Sequence, residues 1–532
     1  VDLVLNTGVF HLVPYATKIS TWSFSASRIS AQPEHCGARR KFSEAGPVTL
    51  KSESELAFLS IEQAARFLRR KEISPVDLVD AALQRIERLN PSINAFLTVL
   101  AGRARRQASL VERELVRKPR GSRANVSNPL FGIPIALKDN FYTRGIRTSA
   151  GSKILANFVP KQDSHVAARL GSAGAILLGK TNMHEFAYGI TNENPHYGAV
   201  HNPRALDRMS GGSSGGSSAA TAAGMCFGSV GTDTGGSIRI PAALCGVVGL
   251  KPTYGLVSVS GIIPLAPSFD HAGPLARGVV DACILLEAIA EKYPDGASRP
   301  DFRKLRRRRP RRFCLGWPKE YFFERVDPQV RRAINAATKV LGEIGGRIQD
   351  VSLPHLADSE EPSTHIALAE ATHYHQSQGF YPARAGDYGE DVSSRLEAGT
   401  RVRAVHYLQA LEVKRQVERD FELAFKRVDA ILAPAVPIAA PLIGDGEVII
   451  EGQKETVRSA LVRLNRPANL TGHPAISIPC GFTRDGLPVG LQLIGPKWGE
   501  ATLLAIAFAF EQTTDWHSRN PTLAAAPACL KA

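Results

Sequence analysis

Residues 211–241 read GGSSGGSSAATAAGMCFGSVGTDTGGSIRIP. The segment holds two serine-bearing glycine turns, GGSSGG and DTGGS, with Ser213 in the first and Ser237 in the second. A hydroxyl nucleophile needs a turn that exposes it and backbone N–H groups free to hold an oxyanion. Glycine supplies both, because it reaches strained backbone angles and lets a substrate approach the main chain. Ser237 follows a strand-like run, and the N–H groups of Thr234, Gly235, Gly236 and Ser237 are placed to converge on one point. Either turn alone would read as a flexible or anion-binding loop; the inference rests on the pair.

A third piece lies upstream. LFGIPIAL (130–137) is a short apolar run that ends in Lys138-Asp139-Asn140. It predicts a buried strand that delivers a lysine at its end. Burial disfavours the charged form of that lysine, and only a neutral amine accepts a proton. No histidine stands near either glycine turn in sequence, so a Ser/Lys scheme is favoured over Ser/His/Asp, with distant histidines left open.

The rest of the chain predicts helices and strands in alternation. Ser60-x-x-Gln63 is a capping box. Ser74-Pro75 starts a helix with an apolar stripe at Val76, Val79, Leu83 and Ile86. Strands are expected at Ala175–Leu178, Met225–Gly231, Ala243–Leu250, Ala430–Leu432, Ala475–Ile478 and Gly490–Leu493. Helices are expected around His165–Leu170, from Asp327-Pro328 with Val330, Ile334, Ala337 and Leu341 on one face, and over Ala501–Glu511. The alternation argues for an α/β fold with a largely parallel or mixed sheet. No linker interrupts Leu59–Trp516, so one large domain over 56–520 is expected. Residues 1–55 read as a disordered or targeting extension and 521–532 as a tail. The first 50 residues are serine-rich with only three acids, which also fits organelle import; otherwise a cytoplasmic protein is expected.

Composition excludes several classes. The longest strongly apolar run, Ala501–Phe510, is about half of the ~20 residues that a membrane-spanning helix needs. The seven cysteines include no C-x-x-C pair, and the 14 histidines show no ligand spacing. No metal and no cofactor are therefore expected. The net charge of +15 is concentrated between Arg303 and Arg312. That tract lacks interleaved aromatics and reads as a solvated loop rather than a nucleic-acid site. Two motif matches are decoys. Gly174-Ala-Ile-Leu-Leu-Gly179-Lys180-Thr181 fits the P-loop pattern, but its central residues belong in a sheet. Gly211–Gly215 fits the nucleophile elbow, but a polar loop (202–208) precedes it where a buried strand is required.

Five blocks carry a resemblance: GIPIALKDN (132–140), LGKTNMHEFA (178–187), GGSSGGSS through GLKPTYG (211–255), SFDHAGPLAR (268–277) and HPAISIPCGFTRDGLPVGLQLIG (473–495). In order and spacing they resemble the amidase signature family, over most of the length from Leu59 to Trp516. The resemblance implies an α/β/α sandwich around a large twisted mixed sheet. It implies a Ser–cis-Ser–Lys triad, which maps onto Ser237, Ser213 and Lys138, and a cis peptide between Gly212 and Ser213. Asp233 and Arg239 are expected to brace the turn as an ion pair, and Ser214 to support the relay.

The activity implied is hydrolysis of a linear carboxylic amide, a small-molecule substrate, to acid plus ammonia or amine. A homodimer is compatible with that reading. The alternative is the glutaminase subunit of a tRNA-dependent glutamyl or aspartyl amidotransferase, which shares the triad and needs a partner. Ile240, where those subunits usually carry Gln, and SVSGIIPLAPSFDHAGP (258–274) depart from that subfamily and favour the amidase. A nucleic-acid-binding protein that uses the basic tract is the third reading.

Overall fold

The computed structural model describes residues 52–117, 128–305, 310 and 312–522. Most of the expected N-terminal extension and tail, and Arg306–Arg309 and Arg311 of the basic tract, lie outside the described residues.

Apolar strands are too short to bury both faces alone, so they join into one sheet of 11 strands. In chain order these are β1 (Phe96–Val99), β2 (Pro134–Lys138), β3 (Ile176–Thr181), β4 (Gly228–Asp233), β5 (Val248–Lys251), β6 (His271–Ala276), β7 (Phe313–Pro318), β8 (Gly346–Val351), β9 (Ala430–Pro434), β10 (Ala475–Phe482) and β11 (Pro488–Ile494). Their order across the sheet is β1-β3-β2-β4-β6-β5-β10-β11-β9-β7-β8. β3, β2 and β4 run parallel, as do β9, β7 and β8. The strands between them pair antiparallel, so the sheet is mixed.

Side chains alternate between the two sheet faces, and each face is covered by helices. Ile135 and Leu137 of β2 enter one core with helices α1 (Ile61–Arg70), α2 (Val279–Ile289), α3 (Pro328–Glu343) and α4 (Glu500–Glu511). Ala136, between them, faces the other side, against the helix Pro75–Ile93. Leu432 and Ile431 divide in the same way across β9. This is the expected α/β/α sandwich.

Local signals place most ends. Ser60 and Gln63 form the capping box of α1, and Ser74 caps the helix that Pro75 opens. Val79, Leu83 and Ile86 are buried, while Val76 sits at the margin of that core. Asp327 caps α3, and its four expected apolar residues are buried. One expected strand is different. Residues 243–250 are not continuous: Arg239–Cys245 is helical, Gly246 ends the helix in the left-handed region, and only Val248–Lys251 is a strand. Most of the P-loop match is strand: after a turn at Gly174, Ile176–Thr181 form β3, as its apolar centre requires. Ala205–Met209, expected as loop up to Arg208, pairs with His201–Asn202 in a small hairpin that is only partly buried; it is not the buried strand an elbow needs.

Candidate active site

β2 and β4 are neighbours, and their ends build the site. The β2 strand carries Lys138 into the interior, where its side chain is 0% exposed. Its Nζ lies 2.8 Å from Ser213 Oγ and 2.7 Å from Thr232 Oγ1, at the end of β4. Asn140 Nδ2 donates to the same Thr232 oxygen at 3.2 Å. No carboxylate pairs with Lys138 within ion-pair distance among the described residues. Burial pushes its pKa down to about 7, against weaker upward pulls from Asp233 and Asp270.

The two glycine turns meet. The Ser214 N–H donates to the Ser237 carbonyl at 3.2 Å, which fixes one turn against the other. The Gly212–Ser213 peptide is cis. Ser214 Oγ donates to the Thr232 carbonyl at 3.1 Å, so Ser214 braces the strand end that faces Lys138. Ser214 also stands at the start of the helix Gly215–Ala222. Ser237 is 4% exposed and lies two residues before the helix Arg239–Cys245.

Asp233 organises the second turn. Its carboxylate accepts from the Gly236 N–H at 2.8 Å, the Ile238 N–H at 3.1 Å and Asn469 Nδ2 at 2.8 Å. Arg239 closes on it at 2.9 Å, with both side chains fully buried. Burial opposes the charge on Asp233, but the Arg239 guanidinium and these donors hold the carboxyl well below its usual range. The remaining guanidinium donors reach the Asn465 carbonyl, Gln492 Oε1 and Asn469 Oδ1. Arg239 is therefore consumed in the scaffold.

One expected donor is corrected by this geometry. Gly236 spends its N–H on Asp233, so it is not available to an oxyanion. The N–H groups of Thr234, Gly235 and Ser237 have no partner among the described residues. Gly236 matters through its backbone instead. Its φ is +117°, and a Cβ there would meet Asn465 Cβ at 2.6 Å.

Sequence reading missed Thr232, Asp270, Asn469 and Gln492. Asp270 accepts from Thr234 Oγ1 at 2.6 Å and from the Leu265 and Ala266 N–H groups. Burial raises its pKa to about 6, against those donors. Thr232, Asp270 and Gln492 belong to quoted blocks and Asn469 to the short helix Arg466–Leu470 just before the last block, but only the fold brings them to the turns. A cavity of about 220 Å³ opens beside the site, lined by Asn140, Thr232, Thr234, Asp270 and apolar residues of 259–267. Larger clefts of about 420 and 480 Å³ touch neither serine nor Lys138. No group of metal-ligating side chains occurs among the described residues. Nor is any described helix long and apolar enough to cross a membrane.

A buried lysine bonded to a turn serine, beside a second serine turn with unpaired amides, is a geometry for acyl transfer. The family model described as Amidase matches residues 77–504, and the chain belongs to that family, the amidase-signature enzymes acting on carbon–nitrogen bonds. Among its relatives is a glutamyl-tRNA(Gln) amidotransferase subunit of Geotalea daltonii, 39% identical over 88% of this chain and 100% of that protein. A solved structure described as an amidase is 35% identical, with a TM-score of 0.77 over 86% of this chain and 100% of that one. Another, from work on a vestigial complex and the origins of an s-triazine catabolic enzyme, is 33% identical, with a TM-score of 0.79 over 86% of this chain and 98% of that one.

Proposed function

We propose that the chain cleaves the C–N bond of a carboxamide through an acyl-enzyme on Ser237, with Ser213 and Lys138 as the proton relay. The observation that carries this reading is the contact between Lys138 and Ser213 in a water-excluded site. Thr232 Oγ1 takes N–H donors from both Lys138 and Asn140. That leaves the lone pair of a neutral Lys138 to the Ser213 hydroxyl.

Ser213 passes its proton to Lys138 and takes the proton of Ser237. The Ser237 oxygen attacks the amide carbonyl, and the N–H groups of Thr234, Gly235 and Ser237 hold the oxyanion. The tetrahedral intermediate collapses as the C–N bond breaks. The relay runs backward and delivers a proton to the departing nitrogen. Water then attacks the acyl-enzyme by the same relay and releases the acid.

Two versions share this chemistry. Ile240 and residues 258–274 favour a free-standing amidase. The curated relatives favour the ammonia-releasing component of a tRNA-dependent amidotransferase, at 39–40% identity over 88% of the chain; this second version has the stronger support from the sequence comparisons. Ammonia release from glutamine and a panel of primary amides, with Ser237→Ala as control, tests the shared chemistry. Stable association with a partner protein that raises glutaminase activity would select the second version, and robust turnover by the chain alone the first.

A further inference from the structure

The cavity of about 220 Å³ beside the relay has a definite polarity. Among the described residues that line it, Asp270 alone is charged, and no lysine, arginine or histidine faces the space. The Asp270 carboxylate takes three donors: Thr234 Oγ1 at 2.6 Å, the Leu265 N–H at 2.9 Å and the Ala266 N–H at 3.2 Å. A carboxylate offers about four acceptor sites, so one is left. Asn140 also lines the cavity, and its Oδ1 is buried without a partner among the described residues. Apart from Thr232 and Thr234, the other lining residues are apolar, with Val259, Ile262 and Leu265 among them.

These walls are fixed to the strand end that carries the base. Ile262 bridges to Phe141, and the Ile263 N–H donates to the Asn140 carbonyl at 2.9 Å. Thr232, which takes an N–H of Lys138, lines the same space. Asp270 is close enough to Lys138 to pull its pKa upward. The departing nitrogen must stand beside Ser213, which returns the proton to it. Lys138 joins Ser213 to Thr232, so the cavity opens one side chain away from that point. The surroundings of Gly235 differ: a Cβ there would find Arg466 Nε nearest, at 3.7 Å. A cation is drawn toward Asp270 and away from that guanidinium.

We propose that this cavity holds the amine half of the substrate, and that the substrate is a secondary amide whose nitrogen carries a short apolar group. The apolar walls take the alkyl chain, while Asp270 and Asn140 Oδ1 accept from the nitrogen. This rests on the acyl-enzyme reading above. The volume is below the roughly 300–1,000 Å³ of sites for drug-sized ligands, so the N-substituent is short. As the C–N bond breaks, its electron pair stays on nitrogen, which takes the proton from Ser213 and leaves as an alkylamine. A further proton from solvent makes it the alkylammonium ion that pairs with Asp270.

The test uses the full chain, above the Asp270 value of about 6. Hydrolysis of N-butylbutyramide is compared with that of butyramide and of N-butyryl-β-alanine, whose amine half ends in a carboxylate. In parallel, butylammonium and neutral butanol are scored for slowing the labelling of Ser237 by a fluorophosphonate. N-butylbutyramide is expected to exceed butyramide in kcat/KM by about tenfold, the order that burying two methylenes brings. It is expected to exceed N-butyryl-β-alanine by about 100-fold, because that carboxylate would face Asp270. Butylammonium should protect Ser237 better than butanol. Ile262→Phe, which fills the cavity, should lower the ratio of N-butyl to primary amide by about tenfold, chiefly through KM. Asp270→Asn should remove the advantage of butylammonium over butanol and relax the exclusion of N-butyryl-β-alanine. A carboxylate that only braced the turn would slow every substrate alike and leave both ratios in place; Ile262→Phe tests the pocket independently of that brace. Preference for butyramide over N-butylbutyramide, equal protection by butylammonium and butanol, or ratios unmoved in the variants would overturn the pocket while leaving the acyl-enzyme reading intact. Failure of Ser237 to label would overturn both.

Discussion

Lys138 Nζ and Ser213 Oγ stand 2.8 Å apart, though 75 residues separate them in the chain. The contact exists because β2 and β4 are parallel neighbours and the GGSSGG turn folds back over their ends. It joins a buried amine to a hydroxyl, and in the proposed relay that pairing lets the lysine act as a base. Replacing Lys138 by Met keeps the stem and removes the amine. General-base catalysis typically contributes about 10²–10⁴-fold, so kcat/KM for a primary amide should fall by that order. Stopped ammonia-release assays read it; a loss under tenfold would remove the lysine from the relay.

The pH dependence has a definite sign. In the proposed relay the working form of Lys138 is neutral, and its pKa is lowered to about 7 by burial. Activity should therefore fall about tenfold per pH unit below that point and level off above it. Linkage gives the matching sign for stability. The folded value lies below the unfolded lysine value of about 10.4, so the unfolded chain binds more protons between the two. This site's contribution to stability is lowest below about pH 7 and rises with pH across that window. A kcat/KM profile with no limb near 7, or one unchanged in Lys138→Met, would contradict this account.

The two glycines of the DTGGS turn should respond differently to alanine. Gly236 has φ +117°, and a Cβ would come within 2.6 Å of Asn465 and 2.7 Å of Ile240. Gly235 meets nothing closer than 3.7 Å. Gly236→Ala should cost more than the ~1 kcal/mol typical of point mutants, measured by urea unfolding. Gly235→Ala should stay within about 0.5 kcal/mol. Equal effects would show that the turn geometry is misassigned.

Much of this site was legible in the sequence, for reasons that can be stated. Lys138 sits at the end of an apolar run, where by itself it reads as a strand-end surface lysine; only together with the two glycine turns does it read as a buried base. Ser213 and Ser237 sit in glycine turns whose composition reports exposed backbone. The ends at Ser60, Ser74 and Asp327 are local chemistry. What stayed hidden is non-local. Thr232 reads as an ordinary strand residue until β2 is set beside it. Asn469 and Gln492 become partners of Asp233 and Arg239 only through the folding of distant segments. β6, read as HAGPLA, carries glycine and proline that argue against a strand, yet it pairs on both edges. The strand expected over 243–250 failed because Gly246 turns the chain out of a helix, and apolar periodicity does not separate a short buried helix from a strand.

The Asp233–Arg239 pair should prove structural. Asp233→Ala would leave the Arg239 guanidinium, 0% exposed, without its countercharge. Breaking one side of a buried pair costs about 3–5 kcal/mol. The denaturant midpoint of Asp233→Ala should drop accordingly, and activity should be lost with the turn. A loss within about 0.5 kcal/mol (an ordinary surface change) would mean that the carboxylate does not hold the loop.

The central claim is that Ser237 is the nucleophile. Incubation of the full chain with a fluorophosphonate, followed by peptide mass mapping, tests it most directly. The expected result is a single adduct on Ser237 that is slowed strongly in Lys138→Met and absent in Ser237→Ala. An adduct that persists in Ser237→Ala, or that falls on another residue in the wild-type chain, would contradict the account.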